Sequence, residues 1–244
     1  MSVMSQRMEI LALGAAQLGL ALSPRQLDQF EAYHRELALW NRLVNLTAIT
    51  GYPDVQARHF LDSLTVCLAF PGGMPRQLRV VDVGTGAGFP GLPLKLAFPD
   101  LRLALVESTG KRARFLEHLV TTLGLSGVEV HTARAEELAH RTELRETFDL
   151  AVSRGVASVP ALLEYTLPFC RAGGRVALLK HSGIEDELAG ASRALDLLGG
   201  RLDEVHPVRV TGLADGRVVV AVEKVRSTPD KYPRRPGMPA KRPL

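Results

Sequence analysis

Apolar side chains recur three or four residues apart at Leu27, Phe30, Tyr33, Leu37, Trp40 and Val44. That spacing lines one face of a helix and predicts an amphipathic helix over residues 25–44. Ser23-Pro24 supplies a cap and a first-turn proline. The stretch before it has apolar character but carries Arg7, Glu9 and Gln17, without a basic start feeding a long apolar run. It reads as a further helix and not as a signal peptide. No convincing strand precedes residue 70, and Pro71-Gly72-Gly73 with Pro75 then breaks the chain.

From Leu78 the period changes. Apolar runs at 78–83, 101–107, 128–131, 148–153 and 175–180 alternate with helical stretches, one of them over 111–123 burying Phe115, Leu116, Leu119, Val120 and Leu123. Strands apolar on both faces and joined by helices belong to a parallel sheet. Two further strands, near 202–210 and 217–224, are separated by a turn containing Asp215-Gly216, which requires an antiparallel hairpin at the sheet edge. The expected organisation is a helical segment over 1–70, an α/β domain over 71–224 and a tail over 225–244.

Composition is ordinary for a globular chain: 244 residues, 46% hydrophobic and 23% charged. No uncharged apolar run is long enough to span a membrane. Two cysteines, Cys67 and Cys170, the latter read at a helix end, cannot build a disulfide scaffold or a multi-cysteine metal site; both fit core thiols in a reducing compartment. A cytoplasmic protein without a metal is expected. The net charge of +4 is unevenly placed. Beyond Val225 stand Arg226, Lys231, Arg234, Arg235, Lys241 and Arg242 against Asp230 alone, with five prolines that argue against helix or central strand. Such a tail is either solvated and disordered or an extended arm that meets phosphates.

The segment Asp82-Val83-Gly84-Thr85-Gly86-Ala87-Gly88-Phe89-Pro90-Gly91 sits at a strand-to-helix turn, where glycines permit a sharp bend and close approach of a ligand. Glu107 ends the next strand, 23 residues after Gly84, where an acid can accept both hydroxyls of a ribose. A dinucleotide fingerprint would need glycine where Phe89 stands, and Pro90, Pro93 and Pro99 leave only a short helix. Carboxylates at Asp82 and Glu107 suit a cationic adenosine ligand, so S-adenosylmethionine is preferred over a dinucleotide.

Arg134-Ala135-Glu136 opens a helix after the third strand, where an adenine edge would be read; the simpler role for Glu136 is to favour the helix N-terminus. Ser153-Arg154-Gly155 follows the fourth strand. There Arg154 offers a planar fork for a phosphate or a guanine edge, or forms a rim salt bridge. The same strand end lacks the Asp/Asn-Pro-Pro-Phe/Tyr tetrad of amino-nitrogen methylation, and neither cysteine is placed as a nucleophile. A purine ring nitrogen such as N7 needs no base, only alignment. A methyltransferase acting on another acceptor, and an RNA-binding module with a vestigial pocket, remain alternatives.

Together these motifs resemble the bacterial 16S rRNA guanine-N7 methyltransferases, the RsmG (GidB) family. The likeness is carried by Asn45-Leu46-Thr47, His59-Phe60-Leu61-Asp62-Ser63-Leu64, the loop from Asp82 to Pro93, Val106-Glu107-Ser108, Arg134-Ala135-Glu136, Ser153-Arg154, Gly173-Gly174 through Lys180, and the ending Tyr232-Pro233-Arg234-Arg235-Pro236-Gly237-Met238-Pro239. One departure is His181, where the family usually has glycine after the lysine. The resemblance implies a class I methyltransferase fold, Rossmann-like with a mostly parallel seven-stranded sheet, behind an N-terminal helical extension. It implies S-adenosylmethionine held by Gly84, Gly86 and Phe89 from the loop, by Glu107, Ser108 and Thr109 at the ribose and by Ala135 and Glu136 at the adenine. Arg154 then stands at the methyl-transfer end, touching cofactor and orienting guanine, with Lys180, Arg234 and Arg235 meeting phosphates of 16S rRNA or the small ribosomal subunit. A monomer suffices for this.

Overall fold

The structure, a computed structural model, describes residues 8–244 except Val156 and Ala214. The first seven residues of the expected N-terminal helix, and Val156 after the Arg154 motif, lie outside the described residues. The strands are β1 (Arg79–Val83), β2 (Arg102–Val106), β3 (Val128–His131), β4 (Phe148–Arg154), β5 (Cys170–His181), β6 (Gly200–Pro207) and β7 (Arg217–Lys224). They form one sheet in the order β3-β2-β1-β4-β5-β7-β6. The first five are parallel, while β7 runs antiparallel between β5 and β6. The edge hairpin is therefore as expected. The order reverses between β1 and β4, and a crevice opens there at the carboxyl ends of the strands.

Alternation along each strand divides the core in two. Val80, Leu103, Leu105, Leu150, Val152, Ala177, Leu179 and Val219 face one side. Val81, Val83, Ala104, Val106, Ala151, Val176, Leu178 and Val220 face the other. The first side is covered by N-terminal helices α1 (Glu9–Gln17), α2 (Pro24–Val44), α3 (Tyr52–Val55) and α4 (Asp62–Leu64), with α5 (Gly91–Ala97) and α6 (Gly110–Thr122). A π-helical turn, Gln56–Leu61, joins α3 to α4. The second side carries α7 (Ala135–Leu138), α8 (Val159–Thr166) and α9 (Glu185–Leu198).

Helix α2 starts where its sequence says. Ser23 accepts from Gln26 N at 3.3 Å and donates its own N–H to Gln26 Oε1 at 2.8 Å, a reciprocal cap. The Gln26 amide continues to the Leu96 carbonyl at 2.7 Å, tying α2 to α5.

Two expectations are corrected. Cys170 opens β5 instead of closing a helix. Burial pushes its thiol up to about 12 and that of Cys67 to about 11, so both are inert. The tail is neither disordered nor helix-free. Tyr232 and Pro239 are buried and residues Met238–Lys241 form α10. Arg145 donates to the carbonyls of Thr228 at 2.7 Å and Tyr232 at 2.9 Å, and His140 Nε2 lies 2.9 Å from the Pro233 carbonyl. These partners are remote in sequence, so local composition could not reveal them. Pro239 sits in the first turn of α10, where a missing N–H costs nothing.

Candidate functional site

The loop after β1 is bent by three glycines in left-handed conformation, Gly84, Gly86 and Gly88, with φ of +74°, +60° and +99°. Gly84 and Thr85 donate their N–H groups to the Val106 carbonyl at 2.9 and 3.2 Å, fixing the loop to the end of β2. Glu107 then closes it: Oε2 accepts from Gly86 N at 3.1 Å and Oε1 from Thr109 N at 2.7 Å. Asp82 is fully buried beneath, its Oδ2 accepting from Thr85 Oγ1 at 2.6 Å and Gly91 N at 2.8 Å. Its Oδ1 has no hydrogen-bond partner, and burial raises the carboxyl to about 6.

Beside this loop opens a cavity of about 330 Å³ lined by Gly84, Glu107, Ser108, Thr109, Ala135, Glu136 and the tail residue Ala240. Its size lies within the range of small-molecule sites. Glu107, each of whose oxygens accepts one backbone N–H, and Glu136 give this cavity two carboxylates, which suits a cationic nucleoside. The residues present thus fit S-adenosylmethionine; Asp82 lies beneath the loop and is not one of the walls. Gly86 reaches this cavity only through its bond to Glu107, and Phe89 lies outside it, buried under the loop.

Phe89 belongs instead to an aromatic layer. Tyr33 stacks on it at 5.4 Å and 7°, His59 at 4.5 Å and 19°, and the Arg154 guanidinium lies 4.8 Å from its centroid. Arg154 lines a second cavity, of about 490 Å³, with His59, Asp62, Lys180, His181, Glu187 and Arg217 among its walls. Arg154 donates from Nη1 to Asp62 Oδ2 at 3.0 Å and to the Arg58 carbonyl at 3.0 Å, and its Nη2 lies 3.1 Å from His59 Nδ1. Arg217 reaches the other Asp62 oxygen at 2.9 Å. One buried carboxylate thus holds two guanidiniums.

Because Arg154 can only donate, His59 Nδ1 is the acceptor and Nε2 carries the proton toward Thr47 Oγ1, 2.8 Å away. Thr47 is clamped by the Asn41 side chain at 2.8 and 2.9 Å. Burial, then Arg154, hold the imidazole neutral by lowering its pKa to about 3. No base with a free lone pair arises from this histidine.

Ser108 and Thr109, Ala135 and Glu136 thus meet around one cavity with Gly84 and Glu107, while Arg154 and Lys180 share the other. Lys180 is paired with Glu187 at 2.9 Å and donates to the Ala157 carbonyl at 3.1 Å. Arg235 is exposed. Arg234, expected at RNA, faces inward onto Glu164 with Nη2 2.6 Å from Oε2. Asp62, His59, Thr47 and Arg217 received no role from sequence reasoning. A signal for two of them was present: His59 and Asp62 are polar residues three apart, one helical turn, beside the apolar Phe60, Leu61 and Leu64. Arg217 carried no local signal; antiparallel register places it opposite His181.

Among the described residues no group of three or more His, Cys, Asp or Glu could hold a metal, and no helix is long and apolar enough to cross a membrane. The chain is similar over its whole architecture to known proteins. A protein from Dehalococcoides mccartyi (strain CBDB1), ribosomal RNA small subunit methyltransferase G, is 49% identical over 97% of this chain and 100% of its own. One of the same name from Roseiflexus sp. (strain RS-1) is 48% identical, again over 97% and 100%. Among solved structures, M. jannaschii TYW2 in complex with AdoMet aligns with a TM-score of 0.53 at 17% identity, covering 75% of this chain and 80% of that one, a likeness of fold. The family model for rRNA small subunit methyltransferase G (GidB) matches residues 26–211. Joined to the glycine loop, the strand-end acid and the arginine pair, these matches place the chain in the GidB family of rRNA small subunit methyltransferases.

Proposed function

We propose that the protein transfers a methyl group from S-adenosylmethionine to N7 of a guanine in 16S ribosomal RNA, acting as a cytoplasmic monomer on the RNA or the small ribosomal subunit. Family membership carries the methylation of ribosomal RNA. The observation supporting the finer reading is the pair of cavities, one with Glu107 and Glu136 beside the glycine loop, the other with Arg58, Arg154, Lys180 and Arg217 outnumbering Asp62 and Glu187.

S-adenosylmethionine supplies an electrophilic methyl group on a sulfonium. Glu107 keeps lone pairs free for ribose hydroxyls, since each of its oxygens accepts a single backbone N–H. Ser108, Thr109, Ala135 and Glu136 complete that wall. In the other cavity Arg154, its guanidinium 4.8 Å from the Phe89 centroid, offers the N–H groups not taken by Asp62, Arg58 and His59 to guanine O6 or a neighbouring phosphate. Lys180 adds a point charge for the backbone. Guanine N7 has a free lone pair at neutral pH, which agrees with a site whose histidine is neutral and has both nitrogens engaged. Orientation of the acceptor is then the main contribution of these side chains.

The test is methyl transfer from labelled S-adenosylmethionine to small subunits from a strain lacking the enzyme, followed by reduction and aniline cleavage, which cuts at N7-methylguanine. A single cleavage site in 16S rRNA is expected. Label in another base atom, or in ribosomal protein, would overturn the reading.

A further inference from the structure

Arg234 is the most tightly held basic residue of the tail. Its backbone N–H and Nε both donate to Glu164 Oε1, at 2.8 and 2.9 Å. Nη2 donates to Glu164 Oε2 at 2.6 Å and to the Arg242 carbonyl at 2.8 Å. Glu164 is fully buried on α8. Detaching the tail would leave that carboxylate uncompensated in the core, so the docked position is strongly favoured. Three residues further along, Gly237 N donates to Glu136 Oε1 at 2.8 Å. Glu136 is itself a wall of the cavity beside the glycine loop, and Ala240 of α10 stands on the rim of the same cavity.

We infer that residues 232–242 form one wall of the cofactor cavity, pinned by Arg234 on Glu164 and by Gly237 on Glu136, and that this part of the tail serves binding of the adenosine ligand and not of RNA. The inference rests on the cofactor reading above. It makes Arg234 a positioning residue: it touches neither ligand, and acts by fixing α10 against the cavity. It also gives the prolines a use, since Pro233, Pro236 and Pro239 restrict the backbone around the two anchor points.

Calorimetric titration of the full-length chain with S-adenosylmethionine tests this, beside binding of a 16S rRNA fragment across a series of salt concentrations. Wild type, Arg234→Ala and Ala240→Trp are compared. Both variants should weaken S-adenosylmethionine by about tenfold or more, with RNA affinity and its salt slope unchanged. Ala240→Trp disturbs no ion pair, so it remains readable if Arg234→Ala folds poorly. Unchanged cofactor affinity in Ala240→Trp, or a loss confined to RNA affinity and its salt slope, would overturn the wall. Failure of the wild type to bind S-adenosylmethionine would fell the cofactor reading first, a result visible before any variant is compared.

Discussion

Asp62 is where one side chain decides the geometry of two others. Its carboxylate is buried and bonded to Arg154 through one oxygen and Arg217 through the other. Replacing it with Asn leaves two guanidiniums facing one neutral amide, and breaking a buried pair in this way costs about 3 kcal/mol or more. Asp62→Asn should lower the methyl-transfer rate at saturating RNA while the affinity for S-adenosylmethionine holds, because Asp62 lines the other cavity. Equal losses in both would sink this assignment. The neighbouring His59 yields a pH signature. Its folded pKa of about 3 lies below the ordinary 6.5. Between those values the unfolded chain binds a proton that the folded one does not, so the stability linked to His59 is complete above 6.5 and lost as pH falls. Asp82, raised from 3.8 to about 6, has the opposite slope, since the folded state there keeps a proton the unfolded state has released. Comparing wild type with His59→Gln cancels Asp82 and isolates the histidine. The stability advantage of the wild type should shrink by about 2 kcal/mol between pH 7 and pH 5. A difference constant with pH would show that His59 is not held neutral.

The glycine loop sets its cost element-wide. A Cβ on Gly88 would collide with the Tyr33 hydroxyl and come within 2.6 Å of Leu92 Cδ1, besides adopting φ +99°. On Gly86 it would meet nothing within 4 Å, leaving only the strain of φ +60°. Gly86→Ala should therefore lose about 1 kcal/mol. Gly88→Ala should lose about 2 to 3, because displacing Tyr33 also breaks its 2.5 Å bond to the Ala87 carbonyl. Denaturant unfolding of the two variants measures the gap, and equal losses would refute the contact argument. At this scale much was legible beforehand. The bounds of β3 and β7 follow from apolar runs ended by turns, and Glu107 was reachable because β1, loop and β2 are consecutive in sequence. β5 is longer than its apolar run: Cys170-Arg171-Ala172-Gly173-Gly174 carries none, yet Cys170 pairs with Phe148 across an irregular register. Asp62 and Arg217 meet through packing of the N-terminal helices and hairpin register; Asp62 shares a helical turn with His59, but no local pattern pairs it with Arg217.

In the whole molecule the N-terminal helices are core and not attachment. Phe30, Tyr33, Leu37, Phe60 and Leu64 share one continuous cluster with Val80, Leu105 and Leu150 of the sheet. Thr47 and His59 of that segment also hold Arg154, so the site and the core use the same contact surface. A boundary near residue 70, natural from the change of period, therefore divides the chain's pattern more sharply than its packing. Trp40, the single tryptophan, tests this directly. It sits on α2, 5.6 Å from the Phe115 ring and 5.2 Å from His118, both on α6 of the sheet domain. If α2 and the sheet share one core, Trp40 fluorescence reports the docking of the N-terminal segment, while circular dichroism, weighted across all helices and strands, reports the rest. The two probes should trace coincident transitions in guanidinium chloride, with one midpoint and one slope. An earlier fluorescence transition would mean that the helices leave a sheet able to stand alone, and Arg154 would then lose its Thr47–His59 support before the fold is lost.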